Sequence, residues 1–473
     1  MYNQTRQMRC DFIRGKSQKE MDDMLPLYAR IIASVCPCEE TEFPKRFDSE
    51  LAKQLKDASA KTLANHRTEI AGSLLGLYYK ENGQIFESDR NKKFLQDSDQ
   101  PALFKDVCFK HQFPTGVQKI VTVWEKVRNG VCFRPYPFIL SVLQLAESSN
   151  LFLTTQDVGF YILNASDVLQ GHATPSEVCA AIMSDRKNGI VRKITADGKA
   201  SSYTFQHIRE QLNYLELANL IFVDSTGVVR INHLEQATVD AFVATLKEPL
   251  FFDFTRFDLD SPDGRRVAQA AWDKYYGELS TPALGGIFVT SASAIVHAPP
   301  QDGEEVHGNE TSSTTELGDE GESIVFKYEK ARVKAYSSRL ANRVLALGKT
   351  KGLGYDIQSV VAESGEEAEF SKYIEVKTTK RVTMPSIDDA SWFDNFTLTR
   401  NEYLAAAQHL KFYSVFRVYF TRHGVAFYVI GNIVQKAKEG KIEVVPLTYR
   451  VDFSNKSIDS VIQEQEIQEQ INA

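Results

Sequence analysis

The chain has 473 residues, of which 43% are hydrophobic and 25% charged, and its formal net charge is −7. This length exceeds what one hydrophobic core usually supports, and the composition is that of a folded globular protein, so several domains are expected. No stretch reaches the ~18 to 20 apolar residues of a membrane helix, and the basic N-terminus lacks the apolar run of a secretory signal. We therefore expect a cytoplasmic protein without a membrane partner.

The distribution of charge is more informative than its sum. Eight acidic residues and no lysine or arginine lie between positions 301 and 322, so the rest of the chain is slightly basic. A nucleic-acid-binding surface is therefore permitted. The six cysteines lack the paired spacing and the accompanying histidines of a zinc site, and we expect them to be reduced.

Helices dominate the predicted N-terminal part. Apolar residues recur at helical spacing over 47–79, and further helices are predicted within 135–149 and 174–189. The sequence Thr-Pro-Ser-Glu at the start of the third segment is typical of a helix N-terminus.

A helix followed directly by a short hairpin is predicted at 203–235. An apolar stripe runs through the first half, and two β-rich runs flank the turn Asp-Ser-Thr-Gly in the second. This order is that of a winged helix, whose helix enters the major groove of DNA, although such units also bind proteins. The basic residues that we expect to face DNA, through phosphates and base edges, are Arg186, Lys187, Arg192, Lys193, Arg209 and Arg230.

Composition divides the chain into four segments. Residues 297–321 are rich in acids, Ser, Thr, Gly and Pro and poor in large apolar side chains, which predicts a flexible linker. Before it we expect a helical DNA-recognition domain at 1–130 and a winged-helix-containing recognition domain at 131–296. After it, residues 322–473 are predicted to form an α/β domain.

Chemistry-bearing residues concentrate in this last segment. A helix is predicted to carry Glu329, with Ile324, Tyr328 and Ala331 on its apolar face. Gly352 and Gly354 allow a sharp entry into a strand that presents Asp356. In the following strand, at 368–380, alternation places Glu375 and Lys377 on one face. Two carboxylates at adjacent strand ends suit Mg²⁺, and the lysine suits the orientation of a water molecule and the stabilisation of charge on a phosphodiester. Thr399 and, three residues later, Glu402 form a capping-box pattern that predicts the start of a further helix; contact of Asn401 and Glu402 with substrate is the alternative.

These segments resemble a known family. The sequences YEKARV, GLGYDIQS, YIEVKTT, FTLTRNEYLAA and YSVFRVYF are similar to the nuclease-like domain at the C-terminus of the NO VEIN protein, a member of the PD-(D/E)XK nuclease superfamily. The resemblance covers roughly residues 322–435. It implies that Asp356 and Glu375 are metal ligands, that Lys377 is the catalytic lysine and that Glu329 is an acid supplied by a helix. Tyr355 stands where the superfamily has proline.

The expected function follows from this layout. A nuclease domain joined to a basic recognition part resembles type IIS restriction endonucleases, which predicts a Mg²⁺-dependent, sequence-specific endonuclease acting on double-stranded DNA. Cutting both strands needs two active sites, so a dimer on DNA or a second nuclease subunit is expected. A DNA-binding scaffold with an inactive nuclease fold and a nuclease specific for modified DNA or RNA remain alternatives.

Overall fold

The computed structural model describes residues 2, 10, 16–55, 57–117, 119–194, 199–280, 286–296, 315–350, 352–362, 369–389 and 392–445, of which 199–204 and 315–319 are described by their backbone alone. Numbered in chain order, the α-helices are α1 Gln18–Val35, α2 Phe43–Gln54, α3 Ala60–Asn65, α4 Asp89–Asp97, α5 Gln100–Lys110, α6 Ile120–Arg128, α7 Pro135–Ser148, α8 Thr155–Asp157, α9 Ser166–Leu169, α10 Pro175–Lys187, α11 Lys199–Leu217, α12 Gln236–Ala244, α13 Pro262–Gly277, α14 Ala292–Val296, α15 Thr315–Tyr336, α16 Arg400–His409 and α17 Ile433–Lys438. The strands are β1 Cys38–Glu39, β2 Tyr78–Glu81, β3 Gln84–Glu87, β4 Leu153–Thr154, β5 Ile221–Val223, β6 Val228–Ile231, β7 Leu345–Ala346, β8 Ile357–Val360, β9 Ser371–Lys380, β10 Tyr413–Thr421 and β11 Gly424–Gly431. None of these described helices combines the length and the apolar character that crossing a bilayer would require.

The segment predicted as one long helix at 47–79 is divided in the structure. Helix α2 ends at Gln54, and Ser59 starts α3 by accepting a hydrogen bond from the backbone N–H of Thr62 at 3.2 Å. A π-helical stretch, His66–Leu74, follows. Because serine is a strong helix N-cap, a second helix begins where the apolar period alone suggested continuity.

A small sheet in the N-terminal part was not predicted. Strands β2 and β3 form a hairpin whose turn residues, Asn82 and Gly83, both have positive φ, and β1 pairs with β3. Two residues with positive φ are what a tight type I′ turn requires. Residues 1–130 therefore contain a three-stranded sheet as well as helices.

The predicted helix and hairpin at 203–235 are present. Helix α11 leads into β5 and β6, which pair antiparallel with Val223 opposite Val229, and β4 adds a third strand to β6. Their classification as a winged helix stays a prediction. The helices predicted within 135–149 and 174–189 are confirmed as α7 and α10, and the side chain of Thr174 caps α10.

The C-terminal part is built on a five-stranded sheet of order β11-β10-β9-β8-β7. Strands β9 and β10 are parallel, and the other neighbouring pairs are antiparallel. Helix α15 covers one face, where Val325 and Val333 share a core cluster with Ile374 and Val376 of β9. Helix α16 covers the other face, where Ala405 packs in a cluster with Tyr413 and Tyr373.

The sequence misassigned the buried face of α15 by one position. Tyr328, which the apolar period placed on that face, is 49% exposed, whereas Val325, Glu329 and Val333 are buried. These three residues are four apart and so lie above one another on the helix.

The predicted linker at 297–321 is too long. Residues 297–314 lie outside the described part of the chain, but residues 315–321 belong to α15. Acidic side chains are favourable at a helix N-terminus because they complement the helix dipole, so acidic composition alone did not distinguish a linker from the first turns of a helix.

The N-terminal and C-terminal parts are packed against each other through buried charges. The guanidinium of Arg381, just after β9, donates to Asp23 of α1 at 2.6 Å, and the backbone N–H of Thr383 donates to Asp22 at 2.8 Å. Arg422, in the β10–β11 turn, donates to the side chain of Asn219 at 3.0 Å. The sheet domain is therefore held against the helical part in this structure, which the type IIS analogy of a tethered module did not predict.

Candidate active site

Strand β9 has two chemically different faces. Ile374 and Val376 point into the apolar layer beneath α15, whereas Glu375 and Lys377 point toward α16. The alternation predicted from the sequence is therefore confirmed. Burial of the apolar face fixes the register of the strand, because a shift by one residue would exchange the two sets of side chains.

Four ionisable side chains meet on the second face. The carboxyl groups of Asp356, just before β8, and of Glu375 lie close enough to perturb each other's pKa. Lys377 Nζ lies 2.7 Å from Glu375 Oε1 and 2.9 Å from Oε2 of Glu402 in α16. The backbone N–H of Val376 donates to Asp356 Oδ2 at 2.7 Å, which holds the aspartate against the strand. We call Asp356, Glu375, Lys377 and Glu402 the β9 cluster.

The β9 cluster contains three carboxyl groups and one ammonium group. Burial raises the pKa of Glu375, and the neighbouring carboxylates of Asp356 and Glu402 add to this against the opposing effect of Lys377, so that the pKa reaches about 8. Burial likewise raises the pKa of Asp356. Burial would lower the pKa of Lys377, but Glu375 and Glu402 outweigh it and raise that pKa. Perturbed carboxyl groups of this kind are typical of functional sites.

A glycine turn brings the elements of the β9 cluster together. Gly354 has a φ of +78°, and a Cβ atom at this position would lie 2.4 Å from the carbonyl oxygen of Asn401 at the start of α16. Only glycine combines this conformation with so close an approach. The predicted role of Gly352 and Gly354 as a sharp entry to Asp356 agrees with their positive φ values.

Glu329 does not join the β9 cluster, which corrects the prediction. Its carboxylate, fully buried under the opposite face of the sheet, accepts hydrogen bonds from Arg332 at 2.8 Å, Ser359 Oγ at 2.7 Å and Lys372 Nζ at 3.2 Å. Burial would raise the pKa of Glu329, but Arg332, Lys372 and Ser359 outweigh it and lower that pKa. Glu329 does lie on a helix, as predicted, but its carboxylate binds Arg332, Ser359 and Lys372 instead of the residues of the β9 cluster.

The sequence analysis did not predict that Glu402 belongs to the β9 cluster. The pattern Thr-x-x-Glu predicted a capping box, and the structure confirms it: Thr399 and Glu402 exchange hydrogen bonds at the start of α16. The sequence favoured this capping role for Glu402 over contact with substrate. The contact with Lys377 needs the three-dimensional placement of α16 beside β9.

The donor set of the cluster fits a hard divalent cation. Mg²⁺ is usually held by one or two carboxylates, with water and substrate phosphate oxygens in its remaining positions. Asp356 and Glu375 supply such a pair. Within the described residues, no group of three or more histidine, cysteine, aspartate or glutamate side chains is arranged to hold a metal ion by itself.

Comparison with known families identifies both parts of the chain. A model described as the N-terminal region of restriction endonuclease BpuJI matches residues 2–272, which is more than half of the chain. The chain belongs to this restriction endonuclease family. A model of the C-terminal region of protein NO VEIN matches residues 321–430. The resemblance seen in the sequence of the C-terminal part is therefore confirmed.

A solved structure supports the assignment of this BpuJI-family chain. It is described as the crystal structure of pyrene- and phenanthrene-modified DNA in complex with the BpuJ1 endonuclease binding domain. The two chains are 44% identical with a TM-score of 0.56, and the match covers 59% of this chain and 100% of the other. No match was found among the curated proteins with which the chain was compared.

The six basic residues predicted to face DNA lie on four segments of the family's N-terminal region. Arg186 and Lys187 end α10, Arg192 and Lys193 follow it, Arg209 is exposed on α11, and Arg230 lies on β6. Arg186 pairs with Asp157 at 2.8 Å, and Arg192 pairs with Asp185 at 2.7 Å. The guanidinium of Arg230 lies 4.5 Å from the ring centre of Phe152.

Proposed function

We propose that this chain is a metal-dependent restriction endonuclease that hydrolyses phosphodiesters of double-stranded DNA at the β9 cluster. The observation that carries the proposal is the meeting of Asp356, Glu375 and Lys377 on one face of β9, in the part that matches the NO VEIN C-terminal family. Membership of a restriction endonuclease family supports the choice of DNA as substrate. The PD-(D/E)XK class is the fold that this proposal assigns to the C-terminal part.

Asp356 and Glu375 would hold Mg²⁺. When bound, the ion would polarise the scissile phosphate and lower the pKa of a coordinated water molecule. In the metal-free protein, the β9 cluster provides one cation, Lys377, for three carboxyl groups. A divalent cation would remove this imbalance.

Lys377 acts on the phosphate in this proposal. Its ammonium group is held at the rim of the cluster with its side chain 21% exposed, and it stays charged because the carboxylates beside it raise its pKa. An ammonium group in a partly buried site stabilises the negative charge that develops on the phosphate oxygens. Lys377 also orients the attacking water through its remaining N–H.

The N-terminal part is proposed to bind DNA and to select the sequence. The support is the 44% identity with a domain solved in complex with DNA. In this proposal Lys187, Lys193 and Arg209 contact phosphates, which need cations without further specificity. Arg186 and Arg192 would exchange their acidic partners for DNA, and Arg230 would contact the backbone from the β5–β6 hairpin.

Two active sites are needed to cut both strands, so we propose that the enzyme works as a dimer on DNA or with a second nuclease subunit. This would make the enzyme type II, and type IIS if the cut falls outside the recognition sequence. The test is to incubate the full chain with plasmid and phage DNA in Mg²⁺ and to map the cut ends.

Clustered cut positions at a fixed sequence would support the proposal. Nicked product alone at saturating enzyme would contradict the dimer. Tight binding of DNA without cleavage of any methylated or unmethylated substrate would instead favour a DNA-binding scaffold with an inactive nuclease fold.

A further inference from the structure

Glu402 makes a contact that its capping role does not require. Its Oε2 atom accepts hydrogen bonds from the backbone N–H of Thr399 and from Lys377 Nζ, each at 2.9 Å. Its side chain is 15% exposed. One carboxylate oxygen therefore joins the first turn of α16 to the lysine of β9, although residues 381–399 separate the two elements in the sequence.

The contact matters because a lysine side chain has no fixed direction of its own. Its ammonium group sits on a flexible four-carbon stem, and rotation about that stem is lost only when partners hold the charge. Lys377 has Glu375 on one side at 2.7 Å and Glu402 on the other at 2.9 Å. Since an ammonium group has three N–H donors, two carboxylate partners leave one donor for the attacking water.

The two partners of Lys377 are not equivalent. Glu375 is one of the two carboxyl groups proposed to bind Mg²⁺, so its oxygens would be shared between the ion and the lysine. Glu402 is anchored from behind by the backbone of Thr399 and is directed at the lysine.

We propose that Glu402 is a positioning residue of the nuclease, which holds the Lys377 ammonium in place when Glu375 engages the metal. This inference rests on the proposed function. It gives the capping box a second purpose: the backbone N–H of Thr399, which Thr399→Ala would keep, also fixes the carboxylate that orients Lys377. A site group supported in this way by a rigid neighbour is held more accurately than one that depends on its own rotamer.

Two variants separate positioning from capping. Glu402→Gln keeps an acceptor for the backbone N–H of Thr399, because glutamine also serves at this position of a capping box, but it removes the charge that holds Lys377. Thr399→Ala is the matched control, since it removes the cap side chain and keeps the carboxylate. Both are compared with the wild type by single-turnover cleavage of plasmid DNA over a range of Mg²⁺ concentrations, and by thermal unfolding.

We expect Glu402→Gln to slow cleavage at saturating Mg²⁺ by about 10–100-fold, the usual loss when a group that orients a site residue is removed. The DNA affinity and the half-saturating Mg²⁺ concentration should stay at wild-type values. Thr399→Ala should lower the unfolding temperature by a few degrees and leave the cleavage rate unchanged.

Two results would overturn the positioning role. Wild-type cleavage by Glu402→Gln would show that the glutamate acts only as a cap. A raised half-saturating Mg²⁺ concentration, with the full rate recovered at saturation, would show that Glu402 is a metal ligand.

A thermal unfolding cycle in metal-free protein tests the contact independently of cleavage. Glu402→Gln, Lys377→Met and the double variant should show non-additive shifts of the unfolding temperature, because paired residues do not contribute independently. Additive shifts would contradict the inference even if the wild type cuts DNA. If the wild type cuts no DNA, the proposed function fails, and non-additive shifts would still support the Glu402–Lys377 pair.

Discussion

Two buried glutamates lie on opposite faces of the same sheet, one among mainly cationic neighbours and the other among mainly anionic ones. Glu329 is 0% exposed and Glu375 is 3% exposed, so water stabilises neither charge. Glu329 has Arg332, Lys372 and Ser359 as donors, and these outweigh burial and lower its pKa. Glu375 shares Lys377 with two other carboxyls, and burial together with these neighbours raises its pKa to about 8.

The difference distinguishes Glu329, whose carboxylate stabilises the folded state, from Glu375, whose ionised form the folded state disfavours. A buried charge with complete partners is compatible with stability, whereas an excess of like charge in one place opposes folding. The sequence treats the two residues alike, since both are glutamates next to apolar positions. We infer that the uncompensated set is kept for a function, and each of the following experiments tests this contrast.

The largest effect is expected from Asp356→Asn. An amide is a weaker ligand for Mg²⁺ than a carboxylate and leaves Glu375 as the sole charged ligand, so the single-turnover cleavage rate should fall by roughly 10²–10³-fold. Specific DNA binding, measured without Mg²⁺, should stay within about twofold of wild type because recognition is assigned to the N-terminal part. Cleavage at the wild-type rate would remove Asp356 from the proposed site.

A loss of stability without a loss of chemistry is expected from Glu329→Gln. The change leaves Arg332 and Lys372 without their buried anion; because both side chains are about one-quarter exposed and can reach water, the loss should be about 1–3 kcal/mol rather than more. Denaturant midpoints measure it, and the folded protein should still cut DNA.

Glu369→Gln is the matched control for Glu329→Gln. Glu369 also pairs with two cations, Arg339 and Arg343, but this cluster lies at the surface, so the midpoint should hardly move. If both variants shifted the midpoint equally, burial would not explain the importance of Glu329.

Opposite pH dependences are expected for the two glutamates in metal-free protein. The folded-state pKa of Glu375 is raised from 4.5 to about 8. Its favourable contribution to the unfolding free energy is therefore fully present below pH 4.5 and is lost as the pH rises to about 8. For Glu329 the folded-state pKa is lowered, so its contribution is present above the unfolded value and is lost as pH falls through the folded one.

The variant Glu375→Gln isolates the first of these effects. Relative to wild type, it should gain on the order of 1–3 kcal/mol of unfolding free energy between about pH 5 and about pH 9 in the presence of a chelator. The measurement is a series of denaturant titrations at fixed ionic strength. A difference that does not change with pH would show that the carboxyl of Glu375 titrates normally.

The smallest effect is stabilisation by the metal itself. Mg²⁺ at about five times its Kd should raise the unfolding free energy by about 1 kcal/mol, because the ion binds the folded state alone. Glu375→Gln should lose this increment, whereas Glu329→Gln should keep it. An equal response in both variants would place the ion elsewhere.

The elements that carry the site could be predicted from local patterns. The alternation along β9 separated Glu375 and Lys377 from Ile374 and Val376, because a strand has a side-chain period of two. The start of α16 followed from Thr399 and Glu402. The β2–β3 hairpin was missed although Asn82–Gly83 is a strong turn signal.

What the sequence did not determine was which side of an element meets another. In α15, Ile324 and Val325 are both apolar, so the stripe could be drawn through either, and neither choice shows that the helix covers the face of the sheet opposite the cluster. The contact of Glu402 with Lys377 and that of Arg381 with Asp23 join residues far apart in the chain. Such contacts depend on packing between elements, which periodicity does not specify.

Two lysines of β9 allow the most direct test of the central claim. Lys377 pairs with Glu375 and Glu402 on the face of the β9 cluster, whereas Lys372 pairs with Glu329 on the opposite face. Lys377→Met and Lys372→Met therefore remove the same charge from the same strand on different sides. In a plasmid cleavage assay with Mg²⁺, the account predicts cutting by the wild type and by Lys372→Met and none by Lys377→Met; cutting by Lys377→Met at the wild-type rate would contradict it.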